Sequence, residues 1–220
     1  CCIASVAEAE LALAHGADAL GLVSAMPSGP GPILDDDIAH IARAVGGRAR
    51  TFLLTSRTEP RDIAAQVRAA GTDTVQLVDA LDEGALQELR VLFPAVALVQ
   101  VIHVRGEAAL DQACAWAPHA DALLLDSGNP QAAIRELGGT GRTHDWTISA
   151  ELVHAVSPCP VWLAGGLRAG NVAEAVRTVR PTGVDVCSGV RTSGRLDAGR
   201  LAAFTTALHG RVPDDALLSH

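Results

Sequence analysis

A (β/α)8 barrel, in a single domain, is the fold this sequence predicts, and two observations predict it. Strand-like and helix-like stretches alternate from end to end, eight of each. A short phrase also returns around the chain: G-A-D-A-L-G-L at 16–22, G-T-D-T-V-Q-L at 71–77, H-A-D-A-L-L-L at 119–125 and G-V-D-V-C-S-G at 183–189. It precedes every second strand, as a ring of two-unit repeats requires and an open doubly wound sheet does not. Its aspartates, Asp18, Asp73, Asp121 and Asp185, are expected to cap turns at the bottom of the barrel.

Each element has its own signal. Residues 1–3 read as the end of a first strand. Residues 6–14 are helical, with Ser5 placed to cap them. Residues 19–23 are a strand, and 26–33 a loop rich in Pro and Gly. Asp35, Asp36 and Asp37 open a helix to about 45, their charges suiting its N-terminal dipole. Strand 51–54 precedes helix 60–70, strand 74–77 precedes helix 82–92, and strand 97–102 precedes helix 107–116. The run Ala122 to Leu125 is apolar throughout, as in a strand buried on both faces. Helix 149–156, strand 161–164, a helix capped by Asn171 and running to 179, strand 184–187 and helix 197–208 complete the alternation. The domain therefore spans 1–209; residues 210–220 lack periodicity and form a tail.

The chain has 220 residues, 49% of them hydrophobic and only 3% aromatic, enough for one large core. A net charge of −8 argues against nucleic acid as a partner. No apolar run approaches the roughly 20 residues of a membrane span. No signal peptide is visible, and residues are expected to precede Cys1. The five cysteines are odd in number and scattered, which suits a reducing cytoplasm better than a disulfide framework.

Active sites of such barrels lie at the C-terminal ends of the strands. Asp126 closes the apolar Ala122 strand, where an unpaired carboxylate has no packing role. The long loop after it carries Gly138, Gly139 and Gly141 and is expected to serve a ligand. At the last two strands, L-A-G-G and V-C-S-G place Gly165, Gly166, Ser188 and Gly189 in matched turns, the usual phosphate site of a barrel. Cys1 and Asp126 stand at strand tops on opposite sides of the mouth. A thiol of lowered pKa serves as a base, and a carboxyl of raised pKa as an acid. The bland alternatives are a small buried hydrophobe for Cys1 and a loop cap for Asp126. His103, His119, His144 and His154 show no metal-ligand spacing, and no metal site is expected.

Here the residues resemble a family, phosphoribosylanthranilate isomerase, the tryptophan-pathway barrel. Its opening Lys-Ile-Cys-Gly-Ile matches C-C-I, with Cys1 as the cysteine and Cys2 in place of the glycine. G-A-D-x-L-G-F-V matches 16–23, and Leu-Leu-Asp-Ser matches 124–127. G-G-T-G-x-x-F-D-W matches 138–146 with His144 for Phe. L-A-G-G-L-x-x-x-N-V matches 163–172, and G-V-D-V-S-S-G-V matches 183–190 with Cys187 for a serine. The resemblance implies an Amadori rearrangement of a phosphorylated sugar amine. Asp126 would be the general acid and Cys1 the general base. Gly165, Gly166, Ser188 and Gly189 would hold the phosphate, with the Gly141 loop closing nearby and Gln76, from the family's Q-L-H-G, as a further substrate contact. It further implies no metal and no organic cofactor, a small-molecule phosphorylated sugar as substrate, no nucleic-acid or membrane partner, and a cytoplasmic monomer or homodimer.

Two departures qualify this expectation. The family's S-P-R after the strand at 19–23 supplies an Arg for the anthranilate carboxylate. Here that stretch is P-S-G-P-G-P-I, and no Arg lies between Gly21 and Ala42. Q-L-H-G becomes Gln76-Leu77-Val78-Asp79. Arg57 or Arg142 is the candidate replacement cation. A paralogous isomerase of another N-substituted ribosylamine phosphate, or a non-catalytic phosphosugar-binding barrel, stays open beside the family activity.

Overall fold

The computed structural model describes residues 1–27, 29–128 and 143–210. Seven strands form one parallel sheet in chain order. They are β1 (Ala19–Val23), β2 (Arg50–Thr55), β3 (Thr74–Leu77), β4 (Ala97–His103), β5 (Ala122–Asp126), β6 (Val161–Leu163) and β7 (Gly183–Val184). The helices alternate with them as α1 (Val6–Ala14), α2 (Asp35–Val45), α3 (Pro60–Ala70), α4 (Glu83–Leu92), α5 (Ala108–Trp116), α6 (Trp146–Ala155), α7 (Val172–Val179) and α8 (Ala198–His209). A short antiparallel ribbon, β8 (Arg191–Thr192) with β9 (Arg195–Leu196), precedes α8. Among the described residues, no helix is long and apolar enough to cross a membrane.

The expected first strand is replaced by a seam. Cys1 to Ile3 forms no ladder, because Cys2 has a left-handed backbone (φ 62°) that interrupts extension. The segment still closes the ring: the Ile3 N–H donates to Gly21 O at 3.0 Å, and the Cys1 nitrogen donates to Val186 O at 2.9 Å. At the far side, the expected strand 184–187 shrinks to Gly183–Val184 in the ladder. Its neighbour β6 is only three residues long, and a 3-10 turn begins at Ser188.

The period of two decides what faces inward. Leu20, Leu22, Leu53, Val75 and Leu77 point outward against Ile38, Ile41, Ile63 and Leu89 of the helices. Leu123 and Leu125 do the same against Leu152 and Val172. Each fully buried Leu or Ile contributes about 1.5–3 kcal/mol. Phe52, Leu54, Val99, Val101, Ala122 and Leu124 fill the barrel interior, where Phe52 meets Trp162 edge-on at 5.7 Å. Asp126 shares the face of Ala122 and Leu124 and so must point in.

Two repeat aspartates cap as expected at the bottom. Asp73 Oδ2 accepts the Thr51 N–H at 3.1 Å, and Asp121 Oδ2 accepts the Leu98 N–H at 2.7 Å. Asp185 does not. Its own N–H donates to Leu163 O at 2.8 Å, so it continues β7 beside β6 and lies within the barrel. The phrase G-V-D-V is therefore out of step with the other three copies. Ser5 caps α1, its hydroxyl accepting the Glu8 N–H at 3.2 Å. Helix α6 starts three residues earlier than the periodicity suggests, because Asp145 caps it by accepting the Thr147 N–H at 2.8 Å.

Candidate active site

The C-terminal ends of the strands surround a cavity open to solvent. Cys1, Gln76, Asp126, Gly165, Gly166, Asp185 and Ser188 line it. Six of these sat at predicted strand tops. Asp185, which its repeat phrase predicts at the opposite face, joins them through the shift just described. Met26, Pro30, Leu54 and Val78 form an apolar flank.

Asp126 is 6% exposed. Its Oδ1 accepts the Ser127 N–H at 2.7 Å. Burial raises the carboxyl from its ordinary 3.8 to about 6, and the negative charge of Asp185 adds to the effect; hydrogen bonds from Ser127 oppose it. A carboxyl so placed carries a proton in a useful fraction of molecules near neutral pH. Cys1 is placed by its backbone, whose nitrogen bonds Val186 O at 2.9 Å. Gln76 is 6% exposed and faces the cavity from β3.

The two glycine turns meet. Gly165 and Gly166 both have positive φ (86° and 64°). A β-carbon on Gly189 would lie 2.0 Å from Leu167 O, so only glycine lets the 3-10 turn rest on the neighbouring loop. Asn171, expected as a plain helix cap, instead ties this loop together. Its Oδ1 accepts the Arg168 N–H at 2.8 Å, and its Nδ2 donates to Gly166 O at 3.1 Å.

Other candidates fall elsewhere. Arg57 is half exposed, lies 3.8 Å from Asp35 Oδ2 and is not part of the cavity wall. Gly138, Gly139, Gly141 and Arg142 lie outside the described residues. Among the described residues, no Arg or Lys lines the cavity. His103 approaches Val78 O at 3.3 Å. His144 bonds Ser149 Oγ at 2.7 Å, and burial lowers its pKa to about 4, leaving it neutral.

Seven parallel strands alternating with helices, with a thiol and a buried carboxyl gathered at the strand tops, make this a (β/α)8 barrel with a site at that face. Residues 49–207 match the family described as PRAI: N-(5'phosphoribosyl)anthranilate (PRA) isomerase. The chain is 33% identical over 209 residues to N-(5'-phosphoribosyl)anthranilate isomerase of Thermosynechococcus vestitus, covering 94% of this chain and 87% of that one. It is 40% identical over 199 residues to the Haloferax volcanii enzyme of the same name, covering 88% and 84%. The crystal structure of phosphoribosyl anthranilate isomerase from Thermus thermophilus superposes with a TM-score of 0.80 at 26% identity over 96% of both chains. The Pyrococcus furiosus enzyme gives 0.79 at 25% identity, over 96% of this chain and 97% of that one. The chain belongs to the N-(5'-phosphoribosyl)anthranilate isomerase family.

Proposed function

We propose that this chain converts N-(5'-phosphoribosyl)anthranilate to 1-(2-carboxyphenylamino)-1-deoxyribulose 5-phosphate, a step of tryptophan biosynthesis. The observation that carries the reading is the buried Asp126 carboxyl, raised to about 6, in one cavity with Cys1.

Asp126 gives its proton to the ribose ring oxygen. The C1'–O bond breaks, and the nitrogen lone pair forms a Schiff base. Cys1, as thiolate, removes the C2' proton, and the released electron pair gives the enolamine. Tautomerisation leaves an amine at C1' and a ketone at C2', so one carbon is reduced as its neighbour is oxidised. Gly165, Gly166, Ser188 and Gly189 hold the 5'-phosphate, as adjacent turns after the last strands of a barrel do. Gln76 orients the ribose. The apolar flank of Met26, Pro30 and Val78 takes the aromatic ring.

Turnover is followed by loss of substrate fluorescence, with Asp126→Asn as control. Turnover at ordinary enzyme rates, falling at least about 100-fold in the folded variant, supports the roles given. Equal rates in both would remove Asp126 as the acid. The sequence has no Arg between Gly21 and Ala42, where the family has one for the anthranilate carboxylate, and this favours one second reading: the same rearrangement on another N-substituted ribosylamine phosphate. Failure with phosphoribosylanthranilate and turnover of such an amine would establish it.

A further inference from the structure

Three thiols converge on the floor of the cavity. Cys2 Sγ lies 3.8 Å from Cys1 Sγ and 2.7 Å from Cys187 Sγ, and all three sulfurs lie within 4.8 Å of one another. Cys2 and Cys187 are buried at 5% and 9% exposure. Neither is needed by the rearrangement. Where the family pattern has glycine and serine, this chain has two more sulfur ligands beside the proposed base.

We propose that Cys1, Cys2 and Cys187 form a three-thiolate site for a soft d10 cation, with zinc as the reference ion. Zinc–thiolate bonds of about 2.3 Å set ligand sulfurs about 3.8 Å apart in a tetrahedron. The Cys1–Cys2 spacing already meets this, and Cys187 must draw back by about 1 Å to do so. Three thiolates select soft cations over magnesium or calcium, which take oxygen ligands. Binding releases the thiol protons, and the fourth position faces the cavity. The cation plays no part in the isomerisation. It holds the Cys1 sulfur and thereby blocks it.

The backbone around the trio is fixed in advance. Arg191, 7% exposed at its side chain, donates to the Cys2 carbonyl and pairs with Glu8 Oε2 at 2.9 Å. That clamp holds Cys2 in its left-handed conformation, so its thiol stays turned towards Cys187. Ligands oriented by such outer contacts lose less freedom on binding.

The test uses a Cys114→Ser/Cys159→Ser background, which removes the two thiols outside the trio. Cadmium is titrated against thiolate-to-metal ultraviolet absorption, and zinc against a chromophoric chelator. One ion per chain is expected, with a three-thiolate band. Cys2→Gly/Cys187→Ser, which restores the family residues, should weaken binding at least about 100-fold. Unchanged stoichiometry and affinity in that variant would overturn the site. So would failure to bind cadmium in the reduced protein, including a trio recovered as a Cys2–Cys187 disulfide despite reductant. These readouts do not depend on activity. The consequence for turnover rests on the isomerase reading: zinc should inhibit the background protein and spare the doubly restored variant.

Discussion

Gly165 stands directly against Asp126: a β-carbon on Gly165 would lie 3.1 Å from Asp126 Oδ1 and 3.1 Å from both the nitrogen and the hydroxyl of Ser127. The glycine that opens one turn thus also sets the space around the carboxyl. Gly165→Ala adds a methyl at φ 86°, where an L-residue costs about 1–2 kcal/mol. It also pushes on the bond between Ser127 and Asp126. The expected result is a Tm lower by several degrees and a kcat reduced about tenfold or more. Thermal melts and initial rates on the same preparation check both.

Asp126 gives a pH dependence of known sign. Its folded pKa is raised, to about 6 from 3.8, so the folded state binds the proton more tightly than the unfolded chain. The stability this contributes is present below pH 3.8 and is lost as pH rises through about 6. Asp126→Asn keeps the acceptor for Ser127 and has no charge to bury. It should be more stable than the parent at pH 8, by on the order of 2–3 kcal/mol, and level with it at pH 3.5. Denaturant titrations at the two pH values measure this. Under the proposed role of Asp126 as general acid, kcat/KM of the parent should fall on the alkaline side with an apparent pKa near 6.

Much of this was legible in the chain, and the gaps have physical causes. Asp126 stood out because a carboxylate ending an apolar run has no packing role. Gly165, Gly166, Ser188 and Gly189 stood out because glycine turns after consecutive strands have few uses. Asp185 was misplaced because its repeat phrase looks like the others while its register differs by pairing with β6, which only coordinates reveal. The seam at Cys1 to Ile3 was read as a strand because three apolar residues cannot show a left-handed turn at the middle one. The closeness of Cys2 and Cys187, 185 residues apart, is purely tertiary. Arg57 drew attention by its place after β2, but the nearby Asp35 engages it outside the cavity.

Glu8 anchors the seam from the side. Its carboxylate pairs with Arg191 at 2.9 Å and accepts the N–H groups of Leu196 at 2.9 Å and Ala4 at 3.0 Å. Burial alone would raise this carboxyl, but the Arg191 guanidinium and the two backbone donors outweigh it and hold the pKa below the ordinary 4.5. A depressed carboxyl stabilises the fold above its unfolded pKa, and that contribution is lost as pH falls through the folded one. Glu8→Ala leaves Arg191 buried without its partner. A loss of about 3 kcal/mol is expected at pH 7. The gap to the parent should narrow as pH falls below the ordinary 4.5 of a glutamate, as urea midpoints at pH 7 and at acid pH would show.

The contact of Gly189 with Leu167 gives a test of where the phosphate is held. A β-carbon there would sit 2.0 Å from Leu167 O and 3.0 Å from its carbonyl carbon, so Gly189→Ala must drive the two turns apart. Overpacking of this kind costs about 1–3 kcal/mol. Gly189 makes its close contact with Leu167 and not with Asp126, which keeps its Ser127 partner on β5. If the two turns hold the 5'-phosphate, KM should rise about tenfold with a smaller change in kcat, since the phosphate is bound alike in substrate and transition state. Inhibition by inorganic phosphate should weaken in parallel. A variant that folds, binds phosphate as the parent does and loses only kcat would place the phosphate elsewhere in the barrel mouth.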